Sequence, residues 1–177
     1  LDEKHKLTEL QRLYDNSLKN LNYHSLKCPC CHSKGVMNIH SYYQRSLKVG
    51  SNKDLIRITI QRVICKSCGT THALLPSCIV PYTRFSVHVE TLIISSSLLV
   101  SNKLTHQFNE LCNYFQIFEN NIRFIIKKFI NHWKERLNSI SVKVNDVKLL
   151  ELCHSHFKFQ FMQIRTTPTI AYIINHI

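Results

Sequence analysis

Two pairs of cysteines carry the chemistry that can be read most directly from this chain. The first lies in Lys27-Cys28-Pro29-Cys30-Cys31-His32-Ser33-Lys34-Gly35 and the second in Cys65-Lys66-Ser67-Cys68-Gly69. A Cys-x-x-Cys turn lets two thiolates point at one ion while the intervening backbone amides offset the charge on sulfur. Two such turns supply four ligands for a closed tetrahedral zinc site, each about 2.3 Å from the metal. One pair alone would fit a redox motif equally well. Two pairs, each followed within a few residues by Gly35 or Gly69, predict structural zinc on Cys28, Cys31, Cys65 and Cys68. Cys30, inside the first pair, has the poorer spacing and is expected to be a bystander thiol. A closed site holds structure and leaves no position for a reacting group.

Charge sets the second bound. Twenty-three Lys and Arg stand against 11 Asp and Glu, a formal net charge of +12 over 177 residues. Such a balance favours nucleic acid, because each cation placed on a phosphate releases condensed counterions. Solubility or an anionic membrane surface would also use positive charge, but no basic amphipathic helix or lipidation motif accompanies it. The closest approach to a membrane span, Thr91 to Val100, is too short and carries three serines, so no membrane partner is expected. Eight cysteines would suit a disulfide-bonded secreted protein, but the polar start, Leu1-Asp2-Glu3-Lys4, shows no signal peptide and favours a reduced, cytoplasmic setting in which paired cysteines more often hold metal.

The same composition argues against catalysis. Three glycines leave no room for a phosphate-binding glycine loop. Asp54, Glu90, Glu110, Asp146 and Glu151 form no motif of the acid triad that a two-metal nuclease requires. No catalytic residue is expected.

The elements that must position the cysteines follow from periodicity, and together they predict an α+β fold. Leu7, Leu10, Leu13, Tyr14, Leu18 and Leu21 recur at steps of three and four, an amphipathic helix over residues 1–25. Residues 26–84 read as a small antiparallel ribbon. Val36 to Arg45 has strand character, Gly50-Ser51-Asn52 marks a turn, and Ile56, Ile58 and Ile60 alternate with Arg57, Thr59 and Gln61. Pairing these strands brings the distant cysteine turns to one end.

The stretch from Gln61 through Cys65-Lys66-Ser67-Cys68-Gly69-Thr70-Thr71-His72 to Pro76, running on to Ile79-Val80-Pro81-Tyr82, resembles an uncharacterised bacterial zinc-ribbon family. Such ribbons are similar to the N-terminal zinc ribbons of insertion-sequence transposases, and Cys28-Pro29-Cys30-Cys31 and His40-Ser41-Tyr42-Tyr43-Gln44-Arg45 fit the same pattern. The resemblance covers residues 26 to 85 well and the rest loosely. It implies that Cys28, Cys31, Cys65 and Cys68 are metal ligands, and it implies no catalytic residue. His72 belongs to the matching stretch; with four sulfurs filling the site it reads as a packing or hydrogen-bonding residue.

Residues 85–140 read as a helical domain similar to a helix-turn-helix. A buried helix from Phe85, a second over Leu104 to Tyr114 and a third over Glu119 to Leu137 are predicted. The third turns Ile122, Ile125, Ile126, Phe129, Ile130 and Trp133 inward. Asn120, Asn121, Arg123, Lys127 and Lys128 are the side chains expected to meet DNA, since Asn and Arg pair bidentately with adenine and guanine. Gln116 stands where a turn glycine is common, and Phe118 where a capping Ser or Thr is expected. A plain three-helix bundle with a basic surface would show the same periodicity. In the partly extended tail, residues 141–177, Cys153, His154 and His156 form a tract without partners at ribbon-like spacing.

The expectation is a zinc-dependent DNA-binding protein, an accessory or regulatory factor of a mobile element, non-catalytic and able to form homo-oligomers. The alternative is a zinc-ribbon interaction module or inhibitor docking on a nuclease, transposase or polymerase; a transposase remnant is the third option.

Overall fold

The computed structural model describes residues 3–48, 55–98, 104–128 and 162. The order of elements is α1 (Glu3–Lys19), a 3₁₀ turn (Tyr23–Ser25), β1 (Met37–Leu47), β2 (Ile56–Cys65), β3 (Thr71–Ala73), α2 (Val87–Leu98), α3 (Leu104–Phe115) and α4 (Glu119–Lys128). The fold is α+β, with one antiparallel three-stranded sheet in the order β1-β2-β3. No described helix is long and apolar enough to cross a membrane.

The pairing of β1 with β2 carries one irregularity. Ile39 lies opposite Val63 and Ser41 opposite Arg62, so His40 is the extra residue of a bulge. The burial of β2 changes phase close by. Ile58 and Ile60 are buried on one face, whereas Gln61, Val63 and Cys65 are buried on the other. The simple alternation expected over Ile56 to Gln61 therefore ends at Gln61, where α1 and Tyr23 cover the opposite face.

Helix α1 also closes a sheet edge. Beyond the end of β3, β2 would present unpaired backbone groups. The Gln11 side chain takes both groups of Thr59, accepting from its N–H at 2.8 Å and donating to its carbonyl at 3.2 Å. The Tyr14 hydroxyl accepts from Gln61 N–H at 3.0 Å and donates to the Leu74 carbonyl at 2.8 Å. Side chains of a helix thus do the work of a neighbouring strand. The apolar face of α1 does the rest: Leu10 and Tyr14 are buried and Leu18 packs on the same cluster as Ile58, Ile60, Val63 and Leu74.

A second apolar cluster begins at Val80 and includes Phe85, Val89, Ile93, Phe115, Ile122 and Ile125. Ser86 caps α2, its hydroxyl accepting from Val89 N–H. Of the residues predicted to face inward from the third helix, Ile122 and Ile125 are buried and Ile126 packs against them; Phe129, Ile130 and Trp133 lie outside the described residues. So does the tail, apart from Met162, which is buried in the first cluster.

The segment joining the clusters is clamped from both sides. Arg45 of β1 donates to the carbonyls of Val80 and Thr83, and Lys128 of α4 donates to that of Pro81. Beneath it lies Glu90, 1% exposed, whose Oε1 has no hydrogen-bond partner among the described residues. Burial pushes its pKa up to about 7, against the pull of Lys128, Thr83 and Arg45.

Candidate metal centre

Both cysteine turns fold by the same hydrogen-bond scheme. In the first, Cys28 N–H donates to the Ser33 carbonyl and His32 N–H to the Cys28 carbonyl, each at 2.9 Å. In the second, Cys65 N–H donates to the Thr70 carbonyl at 3.0 Å and Gly69 N–H to the Cys65 carbonyl at 2.8 Å. The residue after the second cysteine of each turn has left-handed backbone, with φ of 62° at His32 and 72° at Gly69. The counterpart of Gly69 is therefore His32, not Gly35; Gly35, φ 75°, serves the separate bend that brings its N–H to the Leu26 carbonyl. The hydroxyl two residues after the second cysteine repeats as well. Ser33 Oγ lies 3.4 Å from Cys31 Sγ, and Thr70 Oγ1 lies 3.3 Å from Cys68 Sγ.

The sheet brings the two turns together, since Met37 at the start of β1 pairs with Cys65 at the end of β2. Cys28 Sγ then lies 3.8 Å from Cys68 Sγ, and Cys31 Sγ lies 3.6 Å from Cys65 Sγ. All four sulfurs fall within 4.8 Å of one another. These separations are far beyond a disulfide bond of about 2.05 Å, and all four cysteines are free. The cluster is compatible with a metal ion held among four sulfurs.

The electrostatics divide the set. Cys28 and Cys65 are buried, whereas Cys31 and Cys68 face solvent. Burial raises the Cys28 thiol to about 11. The Thr70 hydroxyl holds Cys68 down to about 6, and Ser33 acts on Cys31 in the same direction. His72 on β3 places Nε2 3.3 Å from Cys28 Sγ, within hydrogen-bonding reach of the cluster. Burial lowers its pKa, which favours the neutral ring. Cys30 is exposed and outside the cluster.

The helical residues expected to meet DNA are spread over different environments. Asn120, Arg123 and Lys127 are exposed, and Asn121 is half-buried. Arg123 is paired with Glu119 at 2.5 Å. Lys128 is half-buried and turned towards the Pro81 carbonyl. Between α3 and α4, Gln116 takes left-handed backbone, φ 49°, and Ile117 N–H donates to the Cys112 carbonyl at 3.1 Å. That is a Schellman-type helix end with Gln in the place usually held by Gly. The repeated Ser33 and Thr70 hydroxyls are not among the residues that the cysteine spacing singles out, although superposing the two turns by their cysteines aligns them.

Residues 28–108 match a family described as a domain of unknown function (DUF6431). The match begins on Cys28, takes in both cysteine turns, the sheet and α2, and ends within α3. No curated protein and no solved structure matches the chain.

Proposed function

We propose that the chain is a zinc-dependent, non-catalytic DNA-binding protein, built like the ribbon and helix-turn-helix of an insertion-sequence transposase and serving a mobile element as an accessory factor. The observation that carries the reading is the sulfur cluster within a basic chain. Four ligands about 2.3 Å from zinc in a tetrahedron stand about 3.8 Å apart, against 3.6 and 3.8 Å between the paired sulfurs. Soft thiolates in a closed set favour zinc or iron over hard cations. Bound zinc would supply a cross-link between the ends of β1 and β2. Cys28, Cys31, Cys65 and Cys68 hold it, and the Ser33 and Thr70 hydroxyls and His72 offset the charge on sulfur.

The three-residue turn from Gln116 to Phe118 supports the helix-turn-helix part of the reading. It leads into α4, which carries Asn120 and Lys127 on its exposed side. The Arg123–Glu119 pair is a surface bridge worth less than about 1 kcal/mol, so DNA can displace it. Two measurements test the proposal. Metal analysis of purified protein should return one zinc per chain, and iron or no metal sinks that part. Duplex binding should weaken steeply as salt rises from about 50 to 200 mM; binding indifferent to salt, or absent at low salt, sinks the DNA part.

Exposed Tyr114, Phe118 and Phe124 on the helix pair favour the second reading, docking on a protein partner. Replacing Phe118 and Phe124 by Ser should then abolish partner capture in nuclease-treated pull-downs and leave duplex affinity unchanged.

A further inference from the structure

The charge is unevenly divided along the chain. Positions 16 to 89 hold ten Lys or Arg and a single acid, Asp54. Positions 104 to 128, which form α3 and α4, hold three basic residues against two acids. On α4 two of those three cations are engaged, Arg123 by Glu119 and Lys128 by the Pro81 carbonyl. A polyanion meets a larger excess of positive charge along the ribbon than on the helix pair, although Arg45 is bonded to backbone carbonyls and Lys48 is buried.

The ribbon also offers a concave place for it. Between α1 and the face of β1 and β2 lies an open groove of about 570 Å³, lined only by polar and charged side chains. Lys19, Arg12 and Asn16 come from α1, and Gln44 and Arg57 from the sheet. Arg12 is bonded to Glu9, and Asp15, the acid of the lining, accepts from Gln11. Lys19 and Arg57 have no ion-pair partner among the described residues. The lysines beside the cysteines (Lys27, Lys34 and Lys66) have a local reason to be there, since they neighbour four thiolates in the chain. Lys19 and Arg57 have no such reason. The aliphatic stems of these side chains form part of the wall, so charge is what selects a ligand here. A phosphodiester would find two cations and the amides of Asn16 and Gln44, the side chains that commonly contact nucleic-acid backbone.

We infer that the phosphate backbone of DNA runs through the groove between α1 and the sheet, gripped by Lys19 and Arg57, so that the ribbon rather than α4 supplies most of the electrostatic affinity. The inference rests on the DNA-binding reading and names the surface that performs it. Sequence discrimination by α4 is compatible with it; the salt-dependent part of binding is what moves.

The test compares two double variants of the full, zinc-loaded chain against a random-sequence duplex across a salt series. Lys19→Ala with Arg57→Ala should lower the slope of log affinity against log salt by about 2, since each phosphate contact contributes about 0.9. Arg123→Ala with Lys127→Ala should lower it by less than half as much. Arg57→Lys in place of Arg57→Ala should restore about half of the lost slope, which a merely structural role for Arg57 would not do. Unchanged zinc content and circular dichroism establish that each variant is folded. If the groove variant keeps the wild-type slope while the α4 variant loses it, the inference is overturned and the DNA-binding reading stands. If wild-type protein shows no salt-dependent binding, the reading fails and takes the inference with it.

Discussion

From Leu26 to Ala73 the chain is a narrow sheet with four sulfurs gathered at one end. From Val87 to Lys128 it is three helices around the cluster of Val89, Ile93, Phe115, Ile122 and Ile125, with no metal-ligand group among the described residues. The first region has Cys28 and Cys65 at the edge of its core and almost no acids; the second hides a carboxyl, Glu90, at its boundary with the first. The contrast teaches that the two regions carry different sensitivities: the sulfur cluster makes the sheet depend on metal, and Glu90 gives the helices a buried group that titrates near neutrality.

The largest effect should come from breaking the sulfur cluster. Metal binding at such sites is folding free energy, with apparent values of about 10 kcal/mol or more, larger than the entire stability of many domains. Chelation of the wild-type protein, or Cys65→Ser, should release the metal and abolish the amide dispersion of β1 and β2 in NMR spectra. The helices packed on Ile93 and Ile122 should keep their far-ultraviolet signal. Retention of the dispersed sheet after chelation would show that the sulfurs are not what holds this end, and the contrast between the regions would collapse.

A smaller and pH-dependent effect belongs to Glu90. Its pKa is about 7 in the folded chain, raised by burial, against 4.5 for an ordinary glutamate. Because the folded value is the higher one, the folded state binds more protons between these limits. The contribution of Glu90 to stability is fullest below about pH 4.5 and falls as pH rises through 7, by about 3 kcal/mol in all. Arg45 and Lys128 pull the Glu90 value down, against the larger effect of burial. Glu90→Gln should flatten the difference between urea midpoints at acid and neutral pH. An equal pH dependence in wild type and variant would remove Glu90 as its source.

What could be read in the sequence was whatever metal geometry or helical period imposes on nearby positions. The four cysteines were legible because a Cys-x-x-Cys turn must have its ligands three apart. Leu10, Tyr14 and Leu18 were legible as one helical stripe, and Ile122 and Ile125 as another. What escaped was long-range and carried by single side chains. Gln11 reaches Thr59 and Tyr14 reaches Leu74, 48 and 60 positions away, leaving no periodic trace. The bulge at His40 was invisible because one inserted residue changes register without changing composition. The nearby glycines Gly35 and Gly69 do not occupy equivalent positions, since the left-handed residue shared by the two turns is His32 in the first and Gly69 in the second.

That position yields the smallest and most diagnostic test, because among the described residues each region contains one exposed non-glycine residue held in left-handed backbone: His32 in the first cysteine turn and Gln116 between α3 and α4. A side chain with a Cβ loses roughly 1–2 kcal/mol there, and glycine returns part of the gain through its freer unfolded chain. His32→Gly and Gln116→Gly should therefore each stabilise by about 0.5–1 kcal/mol. The two gains should be read by different instruments if the regions differ as argued. His32→Gly should tighten metal binding by about two- to fivefold in a chelator competition, with little change in the melting of the helices. Gln116→Gly should raise the helical melting temperature and leave the chelator competition unchanged. Gly69→Ala supplies the reverse arm: its added Cβ would meet no atom within 4 Å, so any loss of metal affinity there is backbone strain and not a clash. If Gln116→Gly tightens metal binding as much as His32→Gly does, the two regions fold as one unit and metal reports on both.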